Sequence, residues 1–125
     1  MNRGRAKNIS ALVLSVLLTL AFTAAGLPKV LGNQVWTMKF AHWGYPAWFA
    51  RGIGVAEILG GIFLLFPRLA TIGVGILAVV MTGALYTHFV NQEDLQVLRP
   101  ILFLALLGAV VWLRRPPPKS GREIV

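Results

Sequence analysis

Cysteine is absent from all 125 residues, which excludes a disulfide framework, thiolate metal ligands and thiol nucleophiles. Acidic residues are nearly as scarce: four Asp and Glu stand against twelve Lys and Arg, for a net charge of +8. Charged residues make up 13% of the chain. A typical soluble domain has about 25%, so too few polar side chains are present to cover so small a body in water. The sequence also lacks a glycine-rich phosphate loop, a nucleophile elbow and an HExxH pair. No two histidines share an apolar stretch at haem-ligand spacing, and His88, His42 and Glu57 are too few for a metal site. With one carboxylate inside the apolar stretches, paired acid–base chemistry has no basis. The chain is therefore expected not to be an enzyme by itself.

What is present is apolar. Hydrophobic residues are 57% of the chain and its mean hydropathy is +0.73, which makes lipid the expected solvent. Apolar stretches cover residues 9–27, 48–66, 69–90 and 95–113. Each has about 18–22 residues, enough to cross a hydrocarbon core as a helix. None alternates with period two as a membrane β-barrel strand would. The expectation is an all-α integral membrane protein: one four-helix bundle over 9–113 with antiparallel, up-down spans. A basic N-terminus (1–8) and a basic, proline-rich tail (114–125) flank it.

Connections are short apart from the first. Pro67-Arg68 reads as an abrupt turn, Asp94 as an N-cap for the last helix, and Pro100 as a first-turn proline. The connection over 28–47 carries Trp36, Trp43, Tyr45 and Trp48 among Lys39 and His42. Such rings favour the head-group layer, so this loop is expected to lie in the interface, partly as a short helix. A lid over an outward-opening site is the alternative. Arg3, Arg5 and Lys7 before an apolar run ending in Ala24-Ala25-Gly26 imitate a signal peptide, but the run is longer than an h-region of about 7–15 residues.

With both termini inside, eight Lys and Arg fall on the inner side and four (Lys29, Lys39, Arg51, Arg99) on the outer side. The positive-inside rule thus places both termini in the cytoplasm, and the basic excess serves orientation and attraction to anionic lipid. No nucleic-acid partner is expected.

Glu57 lies at the midpoint of the second stretch, where an acidic group costs about 2.5–3.5 kcal/mol to insert. Its helical neighbours Ala50, Ile53, Gly54, Gly60 and Gly61 are mostly small, so Glu57 is expected at a helix contact. By depth, Thr19 and Thr82 are candidate partners. Thr71, Gly75, Ala78, Thr82 and Tyr86 form one small and polar stripe on the third helix. The expected intramembrane polar site is Glu57 with Thr19, Thr82 and Tyr86, serving either a ligand or only interhelical hydrogen bonding. Lys29, Arg51 and His88 are expected near the outer mouth. Lys29 pairs with Glu57 only if the first helix continues past Pro28 or the loop dips inward.

At these residues the sequence resembles the DoxX-like family of small bacterial membrane proteins. The resemblance rests on Phe22 to Gly32, on Gly44-Tyr45-Pro46-Ala47-Trp48-Phe49 and on Gly54-Val55-Ala56-Glu57-Ile58-Leu59-Gly60-Gly61. It continues through Pro67-Arg68, Gly83-Ala84 and Thr87-His88 and covers roughly residues 10–110. It implies a four-helix bundle of the bacterial inner membrane, with recurrent polar positions at Lys29, Glu57 and His88. It also implies an accessory or small membrane subunit in a redox process linked to quinone, with a redox protein as partner. The absence of cysteine and of a soluble redox domain sets this chain apart from thiol chemistry. A transporter or lipid-handling role and a structural role in a larger complex are the alternatives, and small helix faces permit a homo-oligomer.

Overall fold

The computed structural model describes residues 3–115. Among them the chain is all-helical: α1 (Arg3–Val30), α2 (Gln34–His42), α3 (Ala47–Phe63), α4 (Ala70–Val90) and α5 (Leu98–Arg114), with a 3-10 turn at Asp94–Val97 before α5. The tail expected from residue 114 lies, beyond Arg115, outside the described residues.

Each long helix buries a narrow stripe. On α1 it is Ala11, Ser15, Leu18, Phe22, Gly26 and Lys29, on α3 Ala50, Gly54, Glu57 and Gly61, and on α4 Ala70, Gly73, Leu77 and Met81. The steps of three and four keep these residues on one face. α1 packs on α3 and α5, and α4 packs on the same two helices, while α2 lies mainly against α3. Phe22, Leu64, Leu77, Leu107 and Val110 are enclosed at the centre, and Phe22 meets Phe103 at 5.0 Å between ring centroids. Outward faces are as apolar as the core: Leu20, Leu31 and Val79 are among many large exposed side chains. Three helices (α1, α4, and α5 with its 3-10 turn) are long and apolar enough to cross a membrane.

α1 meets α3 backbone to backbone. A Cβ on Gly54 would lie 2.5 Å from the Gly26 carbonyl oxygen, and a Cβ on Gly61 would lie 3.4 Å from Thr19 Cα. α3 meets α4 where a Cβ on Gly73 would lie 2.7 Å from the Gly60 carbonyl oxygen. At the end remote from α2, Arg114 Nη2 donates to Ser15 Oγ and the Leu64 carbonyl oxygen, both at 3.0 Å, tying α5 to α1 and to the end of α3.

Asp94 does not cap α5. It begins the 3-10 turn, and Val97 precedes α5 without a side-chain cap. Pro100 occupies the third position of α5, within its first turn, where it gives up no intrahelical hydrogen bond.

Candidate functional site

Two glycine turns set the end of the molecule that carries α2. α1 runs through Pro28 to Val30 and closes with Gly32 at φ 76°, where Gly32 N–H donates to the Lys29 carbonyl and Asn33 N–H to the Pro28 carbonyl. These paired bonds are the Schellman closure, which favours glycine at the left-handed position. Asn33 then caps α2 by accepting from Val35 N–H at 2.9 Å. α2 ends the same way, with Gly44 at φ 91°, Gly44 N–H on the Ala41 carbonyl and Tyr45 N–H on the Phe40 carbonyl. So α2 is held across the ends of the long helices. Its Phe40 is buried among Trp36, Trp43, Tyr45 and Phe49.

Beneath α2 lies a cavity of about 330 Å³. Its walls are mainly apolar, from Phe22 on α1, Ile53 on α3, Val80 and Met81 on α4 and Phe103 on α5. Two polar groups of residues reach it.

The first is Lys29 with Glu57. Lys29 Nζ lies 2.6 Å from Glu57 Oε1, with the side chains 10% and 2% exposed. Continuation of α1 past Pro28 is what allows this. Lys29 stands one turn beyond Gly26, Glu57 one turn beyond Gly54, and those glycines touch. A helical side chain leans toward its own N-terminus, so the two converge across the contact. The Lys29 ammonium also sits 4.4 Å from the centroid of the Trp36 ring, a cation–π contact supplied by α2. Among the described residues no donor reaches Glu57 Oε2.

The second group joins α2 and its following turn to the far end of α4. Tyr45 and Thr87 share a hydrogen bond of 2.7 Å, and because Thr87 Oγ1 donates to the Gly83 carbonyl, the tyrosine hydroxyl donates to Thr87. Trp43 Nε1–H donates to Glu93 Oε2 at 3.3 Å, His88 Nδ1 lies 2.7 Å from Glu93 Oε1, and the Trp43 ring meets His88 edge-on at 5.4 Å. Glu93 is placed by a third Schellman closure, with Glu93 N–H on the His88 carbonyl and Gln92 at φ 59° in the position that suits glycine. The His88 hydrogen bond, aided by Trp43, holds the Glu93 carboxyl below its usual range.

The residues singled out in the sequence are thus divided. Lys29, Glu57 and His88 line the cavity, with Lys29 buried under α2 and not at a mouth. Thr19 does not bond Glu57: its hydroxyl lies between the carbonyls of Ser15 (2.8 Å) and Gly61 (2.6 Å), knitting α1 to α3. Thr82 and Tyr86 are exposed, as are Thr71 and Gly75 of the same stripe. The stripe through Gly73, Leu77 and Met81 is the buried one, because only Gly73 lets α4 approach Gly60. Arg51 is exposed, its guanidinium against Gly32. Tyr45, Thr87, Trp36, Trp43 and Glu93 join the polar groups at the cavity, beyond the site residues expected from the sequence. The glycines bracketing 33–43 are the signal that this loop holds a helix whose aromatics turn inward. Trp48 is the exception, 70% exposed.

Comparison with known proteins places these features in a lineage. The uncharacterised protein YdgD of Bacillus subtilis (strain 168) is 27% identical over 105 residues, covering 81% of this chain and 92% of that relative. No solved structure matches the chain. The sequence pattern of the DoxX-like family matches residues 13–110, the whole span that builds the cavity. With its long apolar helices and that match, the chain is a membrane protein and belongs to the DoxX-like family.

Proposed function

We propose that the chain crosses the bacterial inner membrane as an antiparallel four-helix bundle with both termini cytoplasmic. In the cavity under α2 it holds a small hydrophobic ligand, as a membrane subunit or accessory of a redox process linked to quinone. Support for the bundle comes from the order of the contacts. Gly26 meets Gly54 while Thr19 meets Gly61, and Gly60 meets Leu77 while Leu64 meets Gly73, an order that favours opposite senses for α1 and α3 and for α3 and α4. α3, at 17 residues, is about 26 Å long and reaches nearly across a hydrocarbon core. The charge asymmetry supports the orientation.

The observation that carries the ligand reading is the cavity itself. It has apolar walls, a volume within the range of about 300–1,000 Å³ usual for ligand sites, and one buried ion pair exposed to it. Intramembrane ionisable groups mark functional sites by default. A quinone ring suits these walls, and the Lys29 ammonium is a donor its carbonyl oxygen would take. When bound, such a ligand supplies electron-transfer chemistry, while this chain's residues bind it, orient it and exclude water. The partner would be a soluble oxidoreductase.

The test is to purify the full chain in mild detergent, extract bound small molecules and identify them by mass spectrometry, for wild type and Glu57→Gln. A lipophilic molecule retained by wild type and depleted in the variant supports the reading. Equal content in both defeats it. A structural role in a larger complex is favoured instead by the open surface around Gly75 and Gly108. Stoichiometric co-purification of membrane subunits, with no bound ligand, would select it.

A further inference from the structure

We infer that the cavity admits its ligand sideways from the bilayer, between α3 and α4, and that the ligand's polar head carries a hydroxyl group, alcoholic or phenolic. The inference rests on the ligand-binding reading above and narrows it.

The route follows from the cavity's rim. Val79 and Gly83 line the cavity although Val79 is 73% exposed and Gly83 is also exposed on the flank of α4. Phe49 and Ile53 line it from α3. A Cβ on Gly83 would meet nothing within 4 Å, so the gap there is open. It is closed above and below: toward α2 by the Tyr45–Thr87 hydrogen bond, and away from α2 by the contacts of Gly60 with Gly73 and Leu77. An opening bounded at both ends, on an apolar flank, faces lipid and not water.

The head group follows from what the ion pair leaves unmet. Lys29 and Glu57 are neutral together, so at the pair an anionic head would face the carboxylate and a cationic head the ammonium; the other cation on the lining, Arg99, is exposed near the start of α5. Lys29 occupies Oε1 and leaves Oε2 without a donor, while the ammonium keeps N–H groups beyond the one used. A hydroxyl both donates and accepts, so it satisfies Oε2 and the ammonium at once. An ether, an ester or an oxidised quinone only accepts and leaves Oε2 unmet, so of a quinone couple it is the reduced, phenolic quinol that fits both groups.

The experiment uses the full chain in phosphatidylcholine nanodiscs, with Trp48→Phe and Trp112→Phe so that only the cavity-lining Trp36 and Trp43 report. Quenching is followed with a brominated long-chain alcohol, a brominated alkylphenol and the methyl ether of each. Both the wild-type Lys29 and Glu57 are retained, so no disruption of the pair clouds the comparison. A hydroxyl probe should bind about ten- to a hundred-fold more tightly than its ether, the worth of one hydrogen bond to a charged group. Whether the alcohol or the phenol shows the preference identifies the source of the hydroxyl. Gly83→Leu should slow the onset of quenching. Equal binding of each hydroxyl probe and its ether overturns the head-group assignment, and an unchanged onset in Gly83→Leu overturns the lateral route. No quenching by any probe brings down the ligand-binding reading itself.

Discussion

Gly26 and Gly54 face each other so closely that a Cβ on Gly26 would lie 2.6 Å from the Gly54 carbonyl oxygen. This contact sets the spacing of α1 and α3 and thereby the meeting of Lys29 with Glu57, one turn away on either side. Gly54→Leu should therefore force the helices apart. The expected loss is about 1–3 kcal/mol, the usual cost of overpacking a close contact, read as a lower thermal midpoint in detergent. Gly52→Leu, where a Cβ meets nothing within 4 Å, is the control and should leave the midpoint nearly unchanged.

The ion pair should behave as a unit. Lys29→Met or Glu57→Leu alone leaves a buried charge without its partner, at about 3–5 kcal/mol. Lys29→Met combined with Glu57→Leu removes both charges and should lose less than either single change. Chemical unfolding of the four proteins, followed by circular dichroism, measures the coupling. Additive losses would mean that the pair is not coupled.

Gln92 adopts a left-handed conformation at φ 59° so that Glu93 can reach His88 and Trp43. Gln92→Gly relieves that conformation and should raise stability by up to about 1 kcal/mol. The check is the thermal midpoint, with the Trp43 emission maximum unchanged because the clasp itself is retained.

Acid should loosen the clasp between α2 and α4. The Glu93 carboxyl is held below its usual 4.5 by the His88 hydrogen bond, so its contribution is fully present above 4.5 and is lost as pH falls through the lower folded value. Trp43 fluorescence should report a transition in that acidic window and none between pH 6 and 8 from this group. In Glu93→Gln the acidic transition of Trp43 should disappear.

A reporter fused to the C-terminus should be cytoplasmic, and one placed at Gly44, between α2 and α3, should be external. The reverse result would overturn the orientation drawn from eight basic residues against four.

Several of these features are legible in the residues alone. An apolar composition with helix-length stretches requires helices in lipid, because an unpaired backbone cannot stand in hydrocarbon. Glu57 marks itself for the interior by its depth and by the glycines around it. Its partner is less legible, since Pro28 reads as the end of a helix. In fact its ring removes a single hydrogen bond in the last turns, which α1 tolerates before closing at Gly32. On α4 two stripes share the same periodicity. The small and polar one, with Thr82 and Tyr86, faces outward, because spacing tells which residues share a face but not which neighbour that face meets.

The sequence by itself determined the helical, membrane-bound class, the family and the isolation of one carboxyl group, because these depend on composition and local periodicity. Tertiary structure alone decided that Lys29 answers Glu57, that α2 folds over them and that Thr87, not Thr82, faces the cavity. Those outcomes depend on how closely backbones approach at Gly26–Gly54 and Gly60–Gly73, distances that exist only once the helices are packed.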